Sequence, residues 1–495
     1  MRTDTTRRTF LGTIPLVGAG MLGKHAWPLA GGQDEPALPS DAVRFRPEIE
    51  PIVAWMESTP RDRAVAKALE EIRRGMSYRD LMAGVFLAAI RNIKPRPVGF
   101  KFHAVMAVHS AHLLAQAASE SERLLPMLWA LDNFKGSQAQ DIEEGDWTLE
   151  KVDESHLPRA TQAHQAFVEA MEAWDSDKAD AATAALVRSA GAAETMELFF
   201  RAGVRDQRNI GHKPIFTMQC WRTLQAIGWQ HAEPVLRSLA FGLLDQQGDS
   251  TAAPAGPYHE NLELAKQIRD GWTIGKPDPS ATLTLLDALR ASDASGIGKT
   301  IVEQLNREIA PESLWDAVML SASELLMREP GIIALHSMTA ANALHFIHAA
   351  SGDDTTRRLA LLQAAGWIPM YRQRITNNPK LKIDAVEPGE RPGEVGELFS
   401  TIDQDRSRAA ANTLAYAKSG GSLTPLFQTA RSMIFLKGRD SHQYKYGGAL
   451  WEECLMASNP KWQGPLAAAA MYYVPGAGAS VIPFLAQARE ELARS

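Results

Sequence analysis

Asp440-Ser441-His442-Gln443-Tyr444-Lys445-Tyr446-Gly447-Gly448-Ala449-Leu450 is the stretch around which this chain is best read. Asp440 or Ser441 has the form of a helix N-cap, and the apolar residues that follow continue a helix. Three residues separate His442 from Lys445, so on a helix their side chains leave the same face one turn apart. A neutral imidazole is a good metal ligand. A lysine ammonium offers donors only and cannot ligate unless it loses its proton or its amine captures carbon dioxide as a carboxylate. The plainer reading is a helix start with a surface histidine and a lysine reaching an acid.

Working outward, helical patterns fill the body of the chain. Arg61 to Arg74 carries Val65, Leu69 and Ile72 on one face, and Tyr78 to Arg91 carries Leu81, Val85 and Ala88. Similar spacing predicts helices over 124–134, 157–174, 181–200, 234–244, 258–271, 280–289, 311–327, 355–371, 410–418, 423–435, 464–473 and 480–492. Strand-like alternation is scarce, and Pro and Gly mark the joints. The expectation is an all-α fold, a single domain over residues 41–495 built of stacked antiparallel helix pairs around a buried His-rich metal site. Asn377 to Glu397 and the acidic Asp141 to Asp153 read as loops.

Composition narrows the function. The 495 residues carry a formal net charge of −6 with no basic run, which argues against nucleic acid as a partner. Two cysteines, Cys220 and Cys454, make no disulfide framework; they read as two buried thiols, with one bridge left open. No stretch of eighteen apolar residues occurs, so no membrane span is expected. At the start, Arg7-Arg8-Thr9-Phe10-Leu11 precedes a modest apolar run from Thr13 to Leu22 and a Pro/Gly-rich exit through Pro28, Gly31 and Gly32. Residues 1–40 thus resemble a twin-arginine export signal. That signal implies passage through the twin-arginine translocase to the periplasm as a folded protein, a route often taken by proteins loaded with a cofactor.

Thirteen histidines remain to be explained. Those outside four islands look incidental. The first island holds His103, His109 and His112. On one helix His103 and His112 would face opposite ways, so only one of the three can aim at a given point. The second is Asn209-Ile210-Gly211-His212-Lys213-Pro214, where His212 sits at a helix start. The third is Leu335-His336-Ser337-Met338-Thr339, with His345 on the opposite side. The fourth is His442 with Lys445. Helical proteins build metal sites from facing helices, and imidazole-rich donors without a Glu-x-x-His pair suit a single iron, zinc, copper or nickel ion.

These islands, in order, resemble the questin oxidase-like family of non-haem iron oxygenases. The resemblance rests on His103-Ala104-Val105-Met106, on His212 with Ile215, Thr217 and Arg222, on His336-Ser337-Met338-Thr339, and on Asp440-Ser441-His442 with Lys445. It implies that His103, His212, His336 and His442, with Lys445 as a carbamate, hold Fe2+, Zn2+ being the alternative. It further implies an oxidoreductase that uses dioxygen to oxidise or cleave an aromatic or ketone-type organic substrate. Arg222 and Trp221 are the candidate residues beside that substrate, and Thr339, Asp440 and Gln219 are expected to hold the second ring nitrogens. The competing readings are a metal-dependent hydrolase and a non-catalytic helical scaffold of the envelope, with the histidines as core residues.

Overall fold

Helix follows helix because the segments have buried faces and many begin with a side-chain cap or an early proline. The computed structural model describes residues 38–246 and 256–494. Among them the only β-type pairings are two isolated bridges, Ala42 with Glu150 and Lys276 with Ile309. The twin-arginine signal lies outside the described residues. The chain from Pro39 onward clusters as one compact unit. No described helix is long and apolar enough to cross a membrane.

Caps set several starts. Ser77 and Asp80 form a reciprocal capping box at the Tyr78–Asn92 helix. Asp278, Asp293, Asp353 and Asp405 each accept a backbone N–H at the helix they open. Links of a few residues then force neighbours to run antiparallel. Pro311–Arg328, Ile332–Ala350 and Asp354–Gly366 follow one another this way, each packed on the next.

The Ile332–Ala350 helix is the hub. Every residue from Ala334 to His348 is buried, the pattern of a helix walled on all sides. It packs against both the His212–Ile227 and Ser441–Met456 helices, and Val108–Gln116 touches both of these as well. Segments far apart in sequence are thereby brought to one place.

Several predicted boundaries move. The 181–200 pattern is two helices, Ser176–Ser189 and Ala192–Val204, divided where Ala190 and Gly191 are extended. The 355–371 pattern breaks after Gly366 and restarts as Ile368–Arg372, because Pro369 has no N–H to continue the first ladder. The 157–174 pattern opens with one short 3-10 turn, Ala160–Gln162, and its α-helix begins at Ala163. The 124–134 helix runs on to Glu143, inside the expected acidic loop. There the Asp141 carboxylate accepts from Lys94 and Trp147 N–H groups and pairs with Lys101 at 2.7 Å. The helix Ala294–Asn306 is absent from the predicted set, although Ile297, Ile301 and Leu305 form a buried stripe along it. A Cβ on Gly298 would lie 2.4 Å from a Leu264 methyl, so the glycine permits close packing. Both cysteines are free and buried.

Arg91 fixes the amino-terminal helices. Its side chain is wholly buried; Nε and Nη2 fork onto Glu57 at 2.8 and 2.7 Å, and Nη1 reaches Glu50 at 2.6 Å. Lysine keeps the charge but cannot form the fork. Arg91→Lys is therefore expected to cost about 1–2 kcal/mol, measured as a lower urea midpoint with an unchanged slope.

Candidate metal centre

Each candidate ligand sits at or near a helix start, and local backbone fixes its ring. His103 opens the short helix His103–Met106, which ends at Ala107 before a new helix begins at Val108. That break selects His103 from its island. Its Nδ1–H donates to the Phe100 carbonyl at 2.6 Å. His212 opens His212–Ile227 after three consecutive left-handed residues, Asn209 (φ 64°), Ile210 (φ 51°) and Gly211 (φ 83°). A β-branched residue at positive φ is a true outlier, and such strain concentrates at functional sites. The turn aims the Asn209 carbonyl at His212 Nδ1, 2.5 Å away. His336 lies one turn into Ile332–Ala350, and its Nδ1–H donates to the Ile332 carbonyl at 2.7 Å. Asp440 caps Ser441–Met456 through the N–H groups of His442 and Gln443, and its Oδ1 lies 3.4 Å from His442 Nδ1.

The four imidazoles converge. His212 Nε2 lies 3.1 Å from His103 Nε2 and 2.9 Å from His336 Nε2. The donor nitrogens of His103, His212 and His336 all fall within 4.8 Å of one another. The His442 ring stands 4.5 Å from that of His103 and 5.0 Å from that of His336, centre to centre. Its Nε2 and the Lys445 Nζ are both buried without a hydrogen-bond partner.

The chemistry of these contacts is compatible with a metal site. A carbonyl oxygen can only accept, so the three Nδ1 atoms carry the protons of neutral rings. The Nε2 of His212 then presents its lone pair to those of His103 and His336 at hydrogen-bond distance. Lone pair against lone pair is repulsive unless a cation stands between them. Protonation does not supply that cation. Burial, followed by the charge of Lys445, pushes His212 and His336 well below the ordinary histidine pKa, and burial with Lys445 and the neighbouring rings does the same for His103. His442 is lowered as well, by burial first and Lys445 second, with Asp440 opposing. Burial brings the Lys445 amine down to about 7. The three buried histidines His103, His212 and His336 therefore fit a metal site.

The expected acceptors for the second ring nitrogens differ from those found. Backbone carbonyls of Phe100, Asn209 and Ile332 hold three rings, and among Thr339, Asp440 and Gln219 only Asp440 approaches one. A side chain on a helix leans back toward the N-terminus, so a ring three or four residues beyond a carbonyl folds onto it. Thr339 Oγ1 and Gln219 Oε1 are left buried without partners.

Those two atoms belong to residues that line a small cleft beside Lys445, with Arg222, Asn342 and Glu452 as its other polar walls. Leu113, Ile215, Met218 and Ala449 supply apolar surface. The cleft's free volume is about 10 Å³, space for about one water-sized molecule. Arg222 forks onto Glu452, with both contacts at 2.9 Å, and lies 4.2 Å over the Phe346 ring. Trp221, the other candidate, packs edge-on against Phe200 and Trp229 and is not among the residues lining the cleft. Glu452 was not singled out from the sequence, although it stands seven residues after Lys445, on the same helical face.

The remaining histidines do other work. His112 meets the Tyr78 hydroxyl at 3.1 Å. His345 stacks on Trp315 and bonds Glu453 at 2.8 Å, and Asn342 joins Glu453 to Glu452. Asp316, beside this network, is pushed up to about 6 by burial, against the hydrogen bonds from Ser458. An unfolded chain ionises this carboxyl near 3.8. Below that pH both states are neutral and nothing is lost. Between 3.8 and about 6 the unfolded chain ionises while the native state holds its proton, so up to ~3 kcal/mol of stability is lost across that window, and above it both states are ionised and nothing more is lost. Asp316→Asn is expected to flatten that part of the stability profile between pH 4 and 7, read by chemical denaturation at each pH.

No protein-family model matches the chain, and no curated protein and no solved structure matches it significantly.

Proposed function

We propose that this chain is an exported non-haem iron-dependent oxygenase, with His103, His212, His336, His442 and Lys445 as its iron-binding set. The observation that carries the reading is the Nε2 lone pair of His212 facing those of both His103 and His336, joined by His442 Nε2 and Lys445 Nζ without partners. The ordered motif resemblance supports iron over zinc, because it matches the same five residues.

Bound Fe2+ would supply the electrons with which dioxygen is activated. The chain's own residues do the rest. Four neutral rings leave the full charge of the cation in an apolar core, which is costly. Lys445 reduces that cost when its neutral amine adds carbon dioxide: a C–N bond forms, one proton leaves, and the side chain ends in a carboxylate. An amine held near 7 is neutral often enough at physiological pH to react this way. The cleft beside Lys445 receives the organic substrate. Thr339 and Gln219 offer it unmatched polar atoms, and the Arg222–Glu452 pair is already neutralised, which favours an uncharged aromatic or ketone-type molecule over an anion. The free volume requires Leu113 or Met218 to swing aside as substrate enters. Residues 1–40 carry the twin-arginine signal of this proposal, and the mature protein works in the periplasm.

The test is anaerobic reconstitution of the purified chain with iron(II), followed by dioxygen uptake in the presence of a panel of phenols and ketones. One iron per chain and substrate-dependent uptake are expected. Tight zinc with turnover in the absence of dioxygen would instead make it a hydrolase. A chain that binds neither metal, with a melting temperature unmoved by chelator, would be a scaffold.

A further inference from the structure

A second pocket, sharing no lining residue with the cleft at Lys445, lies where the Ala163–Glu172 and Ala192–Val204 helices meet Tyr258. Its volume is about 70 Å³, well below a drug-sized site and suited to a small ligand. Phe167, Met171 and Leu198 give it apolar walls, and Arg205 lines it from beneath.

Arg205 is 7 % exposed. Its Nη1 donates to the Met171 carbonyl at 2.7 Å, but Nε and Nη2 are buried without any partner. These two groups form one edge of the guanidinium, with parallel N–H bonds spaced to grip both oxygens of a carboxylate. The chain uses that edge elsewhere for this purpose. Arg237 holds Asp180 through Nε and Nη2, both at 2.8 Å, and Arg61 holds Asp132 the same way at 2.8 and 2.7 Å.

No neighbouring acid fills the edge on Arg205. Asp206 is taken by Arg208 and by Lys213, the latter at 2.6 Å. Glu172 is exposed and turns to Arg201, 3.8 Å away. Burial lowers Arg205 to about 10, which still leaves it charged at neutral pH. A buried cation without an anion is one of the more costly features a fold can hold, and its usual explanation is an absent counter-ion.

We propose that this pocket binds a small organic acid, its carboxylate gripped side-on by the Nε and Nη2 edge of Arg205 and its short apolar tail lying on Phe167, Met171 and Leu198. Arg201 also lines the pocket but faces Glu172 at 3.8 Å, so one unpaired guanidinium edge, that of Arg205, is left, and it fits a monoanion. The indole of Trp174, 4.6 Å from the Arg205 guanidinium, is a built-in reporter.

The probe is hexanoate, titrated into the full chain and followed by tryptophan fluorescence and melting temperature, with hexanol and sodium chloride as controls. Saturable quenching and a rising melting temperature are expected with hexanoate alone, and Trp174→Phe is expected to remove the quenching but not the thermal shift. Arg205→Met keeps the length and removes the uncompensated charge, so it should fold and melt no lower than wild type, with hexanoate binding weakened at least tenfold. Leu198→Trp, which fills the pocket and leaves Arg205 in place, should weaken it as well. Equal responses to hexanol and hexanoate, a response matched by chloride, or unchanged binding in Arg205→Met would each overturn the proposal. None of these outcomes depends on iron at the other site.

Discussion

His336→Ala is expected to abolish stoichiometric metal binding while the metal-free chain still folds. The His336 ring is fully buried, its Nδ1–H fixed by the Ile332 carbonyl and its Nε2 placed 2.9 Å from that of His212. Removing it takes one donor from the set, and His112, His345 and His348 are engaged with Tyr78, Trp315 and their neighbours, while His109 packs against the His112 ring. Affinity should fall at least a hundredfold. A metal that binds only the folded state stabilises it by about 4 kcal/mol when present at a thousand times its dissociation constant. Chelator should therefore lower the melting temperature of the wild type by several degrees and leave that of the variant unmoved. The two metal-free proteins should differ far less, because the variant exchanges a cavity for relief of the lone-pair repulsion at His212. A variant that retains one metal per chain and the wild-type response to chelator would remove His336 from the centre.

What could be read from the sequence follows a physical division. Helices with one solvated side, such as Arg61–Arg73 and Pro279–Ala291, reveal themselves by spacing alone, because burial on one face leaves a stripe. Ile332–Ala350 has no such stripe, being buried all round, and was legible only through its histidine. The five candidate ligands are named through the motif resemblance, on residues whose chemistry stands out in apolar surroundings. Spacing alone does not choose His103 over His109 and His112, since that choice depends on a helix break at Ala107 that nothing in the local composition announces. The carbonyl acceptors were hidden for a related reason. Phe100 and Asn209 point their oxygens at the rings only because both have positive φ, at 49° and 64°, and sequence spacing carries no information on left-handed backbone at a phenylalanine. Trp221 shows the limit of adjacency: it neighbours Arg222 in the chain, yet on a helix successive residues diverge, and it faces Phe200 and Trp229.

The same left-handed turn makes Gly211→Ala the most damaging small substitution expected outside the ligands. At φ 83° an alanine is strained by roughly 1–2 kcal/mol before any contact is considered. Its Cβ would also stand 2.4 Å from the Ala340 Cβ and 2.9 Å from the Tyr371 hydroxyl oxygen. Ala340 belongs to the central helix and is buried, so the clash cannot be relieved by turning a flexible side chain. The helices His212–Ile227 and Ile332–Ala350 must instead part, and such overpacking adds roughly 1–3 kcal/mol. The expected total is about 2–5 kcal/mol, read as a lower urea midpoint. Parting those helices also separates His212 Nε2 from His336 Nε2, so metal affinity should fall even under conditions where the variant remains folded. Ala340→Gly in the same chain removes the closest clash but neither the Tyr371 hydroxyl contact nor the strained φ. It should recover about half of the lost stability beyond its own cost in a helix, a coupling that a double-mutant cycle resolves. If Gly211→Ala were as stable as the wild type, the turn that aims the Asn209 carbonyl at His212 would not have the conformation described, and the fixed tautomer on which the metal centre rests would lose its physical basis.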